Sequence, residues 1–485
     1  HIFILESSAM TMEMTRKSLY EVLKQCSDRK IDEKFVRQYE VIRAANKNIY
    51  PCYSLIKKAK QDCYPREESI RVTETCSEIN LQDLLDHTSA RLCEYLDEVL
   101  VCLNEEERCN LELLSKWGCD GSQQQQFKQK FQNSTESDAN IFQSSFVPIR
   151  LICNIGGQKK IIWQNPVPSS TRYCRPIRIR FIHETKDITN EEIRYIEDQI
   201  TNLKKTEIPK TYGKFQIKHT LVFTMVDTKV CNAATNTTST MRCYIYALKF
   251  GISILHARIR FFESFLHLSY KLPIKKWQAR TQDEKKIVAD TKQKIQNSFK
   301  EEMGLLVDIP KAGFGNTNDG NTSRRFFSDP ETSSRITGVD INLIRKCNVI
   351  LEALSSGFKI DVKKFENFAE ETAKVYVALY KWYPMTPTMH KILRHGATII
   401  DHSILPIGQL SEEAAEARNK HFRMFRQNFS RKFSREECNR DVLNRLLLTS
   451  DPLKSFTRET LELLLPEALD VPTTDEEEEG SSDGD

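Results

Sequence analysis

Between Leu111 and Asp227 the residues follow one order: a first strand, further strands, a helix, and a last strand. No other feature restricts the fold as much. Leu111 to Cys119 is a short apolar strand candidate that ends at Asp120-Gly121. A polar Gln/Ser/Asn stretch from Ser122 to Ser145 reads as a long loop. Strand-like runs follow at Phe146 to Cys153, Lys160 to Gln164 and Arg175 to His183. The last alternates basic and apolar residues (Arg178, Ile179, Arg180, Phe181), as a half-buried strand should. Thr189 with Glu192 reads as a capping box, and Ile193, Ile196, Ile200 and Leu203 form one face of the helix behind it. His219 to Val226 is a further strand, ending at Asp227.

Helical periodicity dominates on both sides. Ser18 to Val41 and Leu81 to Leu103 carry apolar residues at helical spacing, so residues 10–110 read as helical. Ile252 to Leu272, Asp283 to Met303, Asp340 to Leu354 and Lys363 to Tyr383 do the same, and 411–450 reads as a strongly basic helical region. A polar, Gly-rich loop is expected from Gly313 to Ser323, followed by Arg324-Arg325-Phe326-Phe327. With 485 residues the chain has room for about three domains. No stretch approaches 18 consecutive apolar residues, so no transmembrane helix is expected. HIFILESSAM lacks the basic start of a signal peptide. The 14 cysteines are scattered and none are spaced C-x-x-C, which fits a reducing compartment, cytosol or nucleus.

The net charge of +4 hides an asymmetry. Residues 475–485 hold seven acids and no Lys or Arg, so the remainder has 71 basic against 60 acidic residues, or +11. A basic body with an acidic tail points to a polyanion partner, or to a tail that only solubilises.

The strand–helix–strand order is that of a ribonuclease-H-like sheet within an α+β, mostly helical chain. Adjacent parallel strands there can bring Asp120 and Asp227 together. In the later helix Glu413 and Glu416 are three apart and share a face. Asp120, Asp227 and Glu416 then make a carboxylate triad able to hold two divalent ions for in-line phosphoryl transfer, and carboxylates with water suit Mg²⁺. Arg418, Lys420, Arg423, Arg426, Arg431, Lys432 and Arg435 lie on or just after that helix, interleaved with Phe422, Phe425, Phe429 and Phe433. The phenylalanines read as a core stripe. The basic residues then face outward, where they would neutralise phosphates. Arg324 and Arg325 join them as DNA-contact candidates.

The segments WGCDGS (117–122), VFTMVDTKVCNA (222–233), STMRCYIY (239–246), LHARIRFFE (255–263), HKILRH (390–395) and SEEAAEARNKHFRMFR (411–426) resemble the Transib family of cut-and-paste DNA transposases. That family is related to the catalytic subunit of the V(D)J recombinase. The resemblance implies that Asp120, Asp227 and Glu416 are the DDE acids, with Mg²⁺ or Mn²⁺ as cofactor, and that Glu413 is a neighbouring glutamate. It implies a zinc site in which His390 and His395 supply one half and Cys243 part of the other. Tyr246 stands where the family has its second cysteine, and the competing reading is two helical histidines engaged in packing.

The expected domains are 1–50, a helical dimerisation or DNA-binding region, and 51–110, a helical region before the core. The core, 111–235, carries both Asp residues. A helical insertion covers 236–410, the Glu helix and basic helices 411–470, and a disordered acidic tail 471–485. The function implied by the resemblance is that of a nuclear, homodimeric transposase. It would bind terminal inverted repeats, nick and hairpin the flanking DNA, and join transposon 3′ ends to target DNA, with no membrane partner. The alternatives are a catalytically silent domesticated DNA-binding protein and a ribonuclease-H-like nuclease without strand transfer.

Overall fold

A computed structural model describes residues 53–123, 137–235, 251–310 and 316–455. Residues 1–50, Cys243, Tyr246 and the acidic tail lie outside the described residues. The architecture mixes α and β, with helices predominating. Eight strands form one sheet: β1 (Ile70–Val72), β2 (Cys76–Ile79), β3 (Leu111–Gln123), β4 (Asn140–Ile155), β5 (Gln158–Gln164), β6 (Arg175–Arg180), β7 (Thr206–Lys210) and β8 (Gly213–Phe223). Their order is β1-β2-β6-β4-β3-β8-β7, with β5 paired to β4 off this path. Only β3 and β8 run parallel, from Leu111 opposite Ile217 to Trp117 opposite Phe223. Along its other edge β3 pairs antiparallel with β4, from Leu111–Cys153 to Gln123–Asn140. As a central strand β3 is buried almost continuously from Leu111 to Cys119, so apolar and polar residues do not alternate along it.

Thirteen longer helices surround the sheet among the described residues: α1 (Tyr53–Gln61), α2 (Leu81–Tyr95), α3 (Lys186–Thr201), α4 (Thr228–Ala234), α5 (Ile254–Ser269), α6 (Gln282–Met303), α7 (Gly320–Ser328), α8 (Pro330–Thr337), α9 (Ile341–Ser355), α10 (Val362–Leu379), α11 (Pro387–Asp401), α12 (Glu413–Asn428) and α13 (Arg435–Thr449). No described helix is long and apolar enough to cross a membrane. α5 is buried around much of its circumference, with Phe261, Phe262, Phe265, Leu266 and Leu268 fully enclosed. It packs with Phe299 of α6, Phe326 and Phe327 of α7, and the apolar faces of α9, α10 and α11 into one cluster. A second cluster joins Leu81 and Leu84 of α2, Trp117, Phe142 and Phe146 of the sheet, Ile193 and Ile196 of α3, Phe422 and Phe425 of α12, and Leu443 and Leu446 of α13.

Four expectations are corrected here. The stretch 51–110 is not wholly helical: β1 and β2 extend the sheet by pairing with β6. Glu78 of β2 ties them by an ion pair with Arg178 of β6 at 3.0 Å. The loop ending at Ser145 gives way at Asn140 to β4, whose first residues Phe142 and Phe146 face the core. Thr189 and Glu192 form no capping box. α3 begins one turn earlier, where Thr185 accepts from the Ile188 N–H at 3.3 Å. Glu192 is buried instead, because its carboxylate is needed as counter-charge to Arg178 (3.2 Å) and Arg180 (3.5 Å) of β6. Finally, residues 320–323 are helical rather than loop. Asp319 caps α7 through the Thr322 N–H at 2.8 Å, and Phe326 and Phe327 draw the helix onto the core.

A buried charge cluster fastens the end of α13 to the sheet and α2. Asp451, fully enclosed, accepts from Arg91 Nε at 2.9 Å and Nη2 at 3.1 Å. Arg175, also fully enclosed, donates to the Leu447 carbonyl at 3.1 Å and lies 3.0 Å from His87 Nδ1. Burial, and then the Arg175 charge, push the His87 imidazole down to about 4. Burial alone would raise Asp451, but the Arg91 charge and hydrogen bonds bring it below the usual carboxylate range.

Candidate active site

Asp120 lies in β3, three residues before its end. The chain leaving β8 folds across β3 there: the Thr224 and Met225 N–H groups both donate to the Trp117 carbonyl at 3.1 Å. Gly118 makes the crossing fit. A Cβ at this position would stand 1.8 Å from the Met225 carbonyl oxygen, so any side chain would push the crossing segment away. The crossing brings Asp227 to the Asp120 end of β3. Asp227 then caps α4, accepting from the Val230 N–H at 2.7 Å, while Val230 is buried beneath it.

The third acid comes from α12. Glu413 and Glu416 both occupy its first turn, yet they point to different partners. Glu413 pairs with Arg324 of α7 at 2.8 Å. Glu416 stands 3.6 Å from His256 Nε2, and its charge acts on Asp120. Burial raises the Asp120 carboxyl well above its ordinary range, and the Glu416, Asp227 and Glu184 charges raise it further. Burial also raises Glu416, with His256 opposing and Glu412 and Asp227 adding to the rise.

Six residues escaped the sequence reading. Glu184 follows β6 and lies over β3: a Cβ on Gly121 would stand 2.4 Å from its Oε2. Burial raises its carboxyl, while Lys229, 2.8 Å away, opposes the rise. Asn419 Nδ2 donates to Asp120 Oδ2 at 2.5 Å, and Gln143 of β4 donates in turn to the Asn419 side-chain carbonyl. Asn419 is one turn beyond Glu416, and that spacing of three was the available signal. His256 of α5 lies between two acids, with Nδ1 3.2 Å from Glu412. Burial alone would lower it, but the Glu412 hydrogen bond and charge, then Glu416 and Asp227, raise it to about 9. Glu412 is buried and accepts from the Ile254 N–H at 3.1 Å, so it fastens the start of α5 to the start of α12. Lys116 of β3, fully buried, donates to the Ser411 carbonyl at 2.7 Å, and burial lowers its ammonium to about 7.

The acids offer oxygen donors alone, and their mutual repulsion is the kind a hard divalent cation relieves, so the donor set fits Mg²⁺ or Mn²⁺. The side chains are not drawn together as a finished cage: among the described residues no group of three His, Cys, Asp or Glu is arranged to hold a metal. The histidines expected to hold zinc are adjacent on α11, their ring centroids 5.3 Å apart and the rings edge to face. No third described ligand joins them.

The basic residues divide. Lys420 is exposed beside Glu416. Arg324 and Arg325 lie on α7; Arg324 holds Glu413 and Arg325 donates to the Met303 carbonyl. Arg423 is half-buried. Arg431 pairs with Asp441 at 2.8 Å and with Glu437. Lys432 donates to the Arg426 carbonyl and to Ser430 Oγ. Arg418 and Arg426 do not face outward as expected. Arg418 donates to the Thr171 and Cys174 carbonyls from a fully buried position. Arg426, also buried, pairs with Asp138 at 2.6 Å. Both take the place of core residues because they share the Phe422 stripe of α12, four residues to either side of it. Phe433 leaves the stripe and is 75% exposed.

No family model matches this chain, and no curated protein matches it. Among solved structures the chain is similar to the Drosophila P element transposase strand transfer complex. The two are 9% identical with a TM-score of 0.34, over 93% of this chain and 100% of that chain.

Proposed function

We propose that this chain is a metal-dependent DNA-cleaving and strand-transferring enzyme, a DDE transposase of the Transib type. The observation that supports the reading is that Asp227 and Glu416, acids more than 100 residues apart in sequence, lie near enough to Asp120 at one end of the parallel pair β3–β8 for their charges to raise its carboxyl. The run β6-β4-β3-β8, with only β3–β8 parallel, supports a ribonuclease-H-like core. Asp120, Asp227 and Glu416 would hold Mg²⁺ or Mn²⁺, with Glu184 beside them. Bound there, such ions activate an attacking oxygen and stabilise a leaving one in in-line displacement at phosphorus.

The chain's own groups set up that chemistry. Asn419 engages Asp120 Oδ2 and orients the carboxylate, and Gln143 fixes the Asn419 amide. Neighbours of this kind hold ligands in the orientation a metal requires. His256 orients Glu416, and Glu412 holds His256 through Nδ1. Lys420, exposed beside Glu416, is placed to meet a phosphate of the cut strand. Nicking, hairpin formation by the freed 3′-hydroxyl and joining to target DNA are all displacements of one type, so one set of acids serves each in turn. A homodimer at paired terminal repeats, in the nucleus, completes the proposal.

The test is a divalent-metal-dependent cleavage assay on DNA carrying the element's ends, with products resolved on a denaturing gel. Nicks followed by hairpins on the flanking DNA are expected. Nicks and double-strand breaks without hairpins or joined products would favour a simple nuclease, and bound but uncut DNA would favour a silent DNA-binding protein.

A further inference from the structure

The chain presents one strongly basic turn that the carboxylate site does not use. It joins α5 to α6. α5 begins at Ile254 beside Glu412 and runs 16 residues to Ser269, about 22 Å away along the helix axis. From Lys271 to Lys286 there are six basic residues and two acids, a balance of +4. Trp277 stands at the centre, 50% exposed. Trp117 and Trp163, by contrast, are buried in the clusters against the sheet. Lys275, Arg280, Lys285 and Lys286 are exposed. None of these four has an acidic partner among the described residues, whereas Lys276 is paired with Glu284 at 2.6 Å.

The turn is held in shape. The Lys271 ammonium donates to the Trp277 carbonyl at 2.8 Å. The Glu284 carboxylate accepts from the Arg280 N–H at 2.7 Å and the Thr281 N–H at 3.2 Å, closing a capping box with Thr281. The backbone at Trp277 is therefore held, its side chain half-exposed, with unpaired cations before and after it in the chain.

We propose that this turn and the first turn of α6 form a second nucleic-acid contact surface, in which Trp277 stacks on an unpaired base and Lys275, Arg280, Lys285 and Lys286 hold the strand's phosphates. A rigid aromatic face among cations is the arrangement by which proteins hold single strands: bases stack on the ring while charges follow the backbone. A protein partner would need a broader apolar surface than one indole. The surface is separate from the carboxylate site, so it stands whether or not that site cleaves DNA.

The test uses the full chain and a 20-nucleotide oligothymidylate, read by tryptophan emission and by binding at several salt concentrations. The oligonucleotide is expected to quench emission at low salt, and Trp277→Phe to lose most of that quench. Trp277→Ala should weaken binding about tenfold or more. Changing Lys275, Arg280, Lys285 and Lys286 together to Gln should flatten the dependence of log affinity on log salt by about 3, at about 0.7 per phosphate contact. Asp227→Asn should leave quench and slope as in the wild type, so loss of cleavage alone bears only on the carboxylate site. The proposal is overturned if Trp277→Phe is quenched like the wild type, or if the quadruple variant keeps its slope. It is equally overturned if phosphatidylserine vesicles shift the emission and the oligonucleotide does not.

Discussion

Glu413 and Glu416 are three residues apart on one helix turn, yet the fold gives them different partners. Glu413 faces Arg324, and Glu416 faces His256 and the two aspartates. Glu413→Gln removes a partly exposed ion pair worth about 1 kcal/mol or less. It should leave stability nearly unchanged and metal-dependent nicking within about fivefold of wild type. Asn419→Leu has the opposite profile: the side-chain volume is kept but the hydrogen bond to Asp120 is lost, so nicking should fall about 10- to 100-fold. A higher half-saturating Mg²⁺ concentration should accompany that loss, measured with DNA binding held constant. At this scale the sequence was legible only in outline: Asp120, expected at a strand end, lies three residues inside β3, and Asp227 lies beyond β8 as the cap of α4. A single acid such as Glu184 has no spacing to announce it. The burial of Arg418 and Arg426 could have been read from their spacing of four about Phe422, but their charge pointed the other way.

Elements were legible where burial is one-sided. The helices around Ile350 and Phe365 show their apolar stripes plainly, whereas β1 and β2 are short strands at the margin of the sheet, tied by cross-strand charges rather than announced by pattern. The meeting of β3 with the segment after β8 depends on the absence of a side chain at Gly118. Gly118→Ala should therefore separate Asp120 from Asp227, destabilise the fold by about 2–4 kcal/mol in urea unfolding, and suppress nicking beyond what the stability loss explains. At the far end of the sheet, Asp451→Asn leaves the buried Arg175 without a nearby counter-charge and Arg91 with only the half-exposed Glu94, and should cost about 3–5 kcal/mol. The same cluster sets a pH dependence. His87 has its proton affinity lowered to about 4 in the folded state, so below about 6.5 the unfolded chain binds the extra proton. Stability then falls as pH drops from about 6.5 to about 4. Urea midpoints for the wild type should decline more steeply across that window than those of His87→Gln.

Across the whole molecule, the candidate site exists only because distant parts of the chain converge. Asp120 comes from the centre of the sheet, Asp227 from the crossing after β8, and Glu416 from a helix that follows the α5–α11 cluster. Glu412 and Lys116 fasten that helix to α5 and to β3. The order of elements carries only the expectation that these acids converge. It could not foretell these fastenings, because a buried acid gripping a helix start leaves no periodicity in the sequence. The most direct measurement compares Asp120→Asn, Asp227→Asn and Glu416→Gln with Glu413→Gln for Mg²⁺-dependent nicking of an end substrate, with DNA affinity measured in parallel. Each of the first three changes should reduce nicking by about 10³-fold or more, with affinity little changed and Glu413→Gln still active. Retained nicking in Glu416→Gln, together with its loss in Glu413→Gln, would contradict the assignment of the third acid and the geometry built on it.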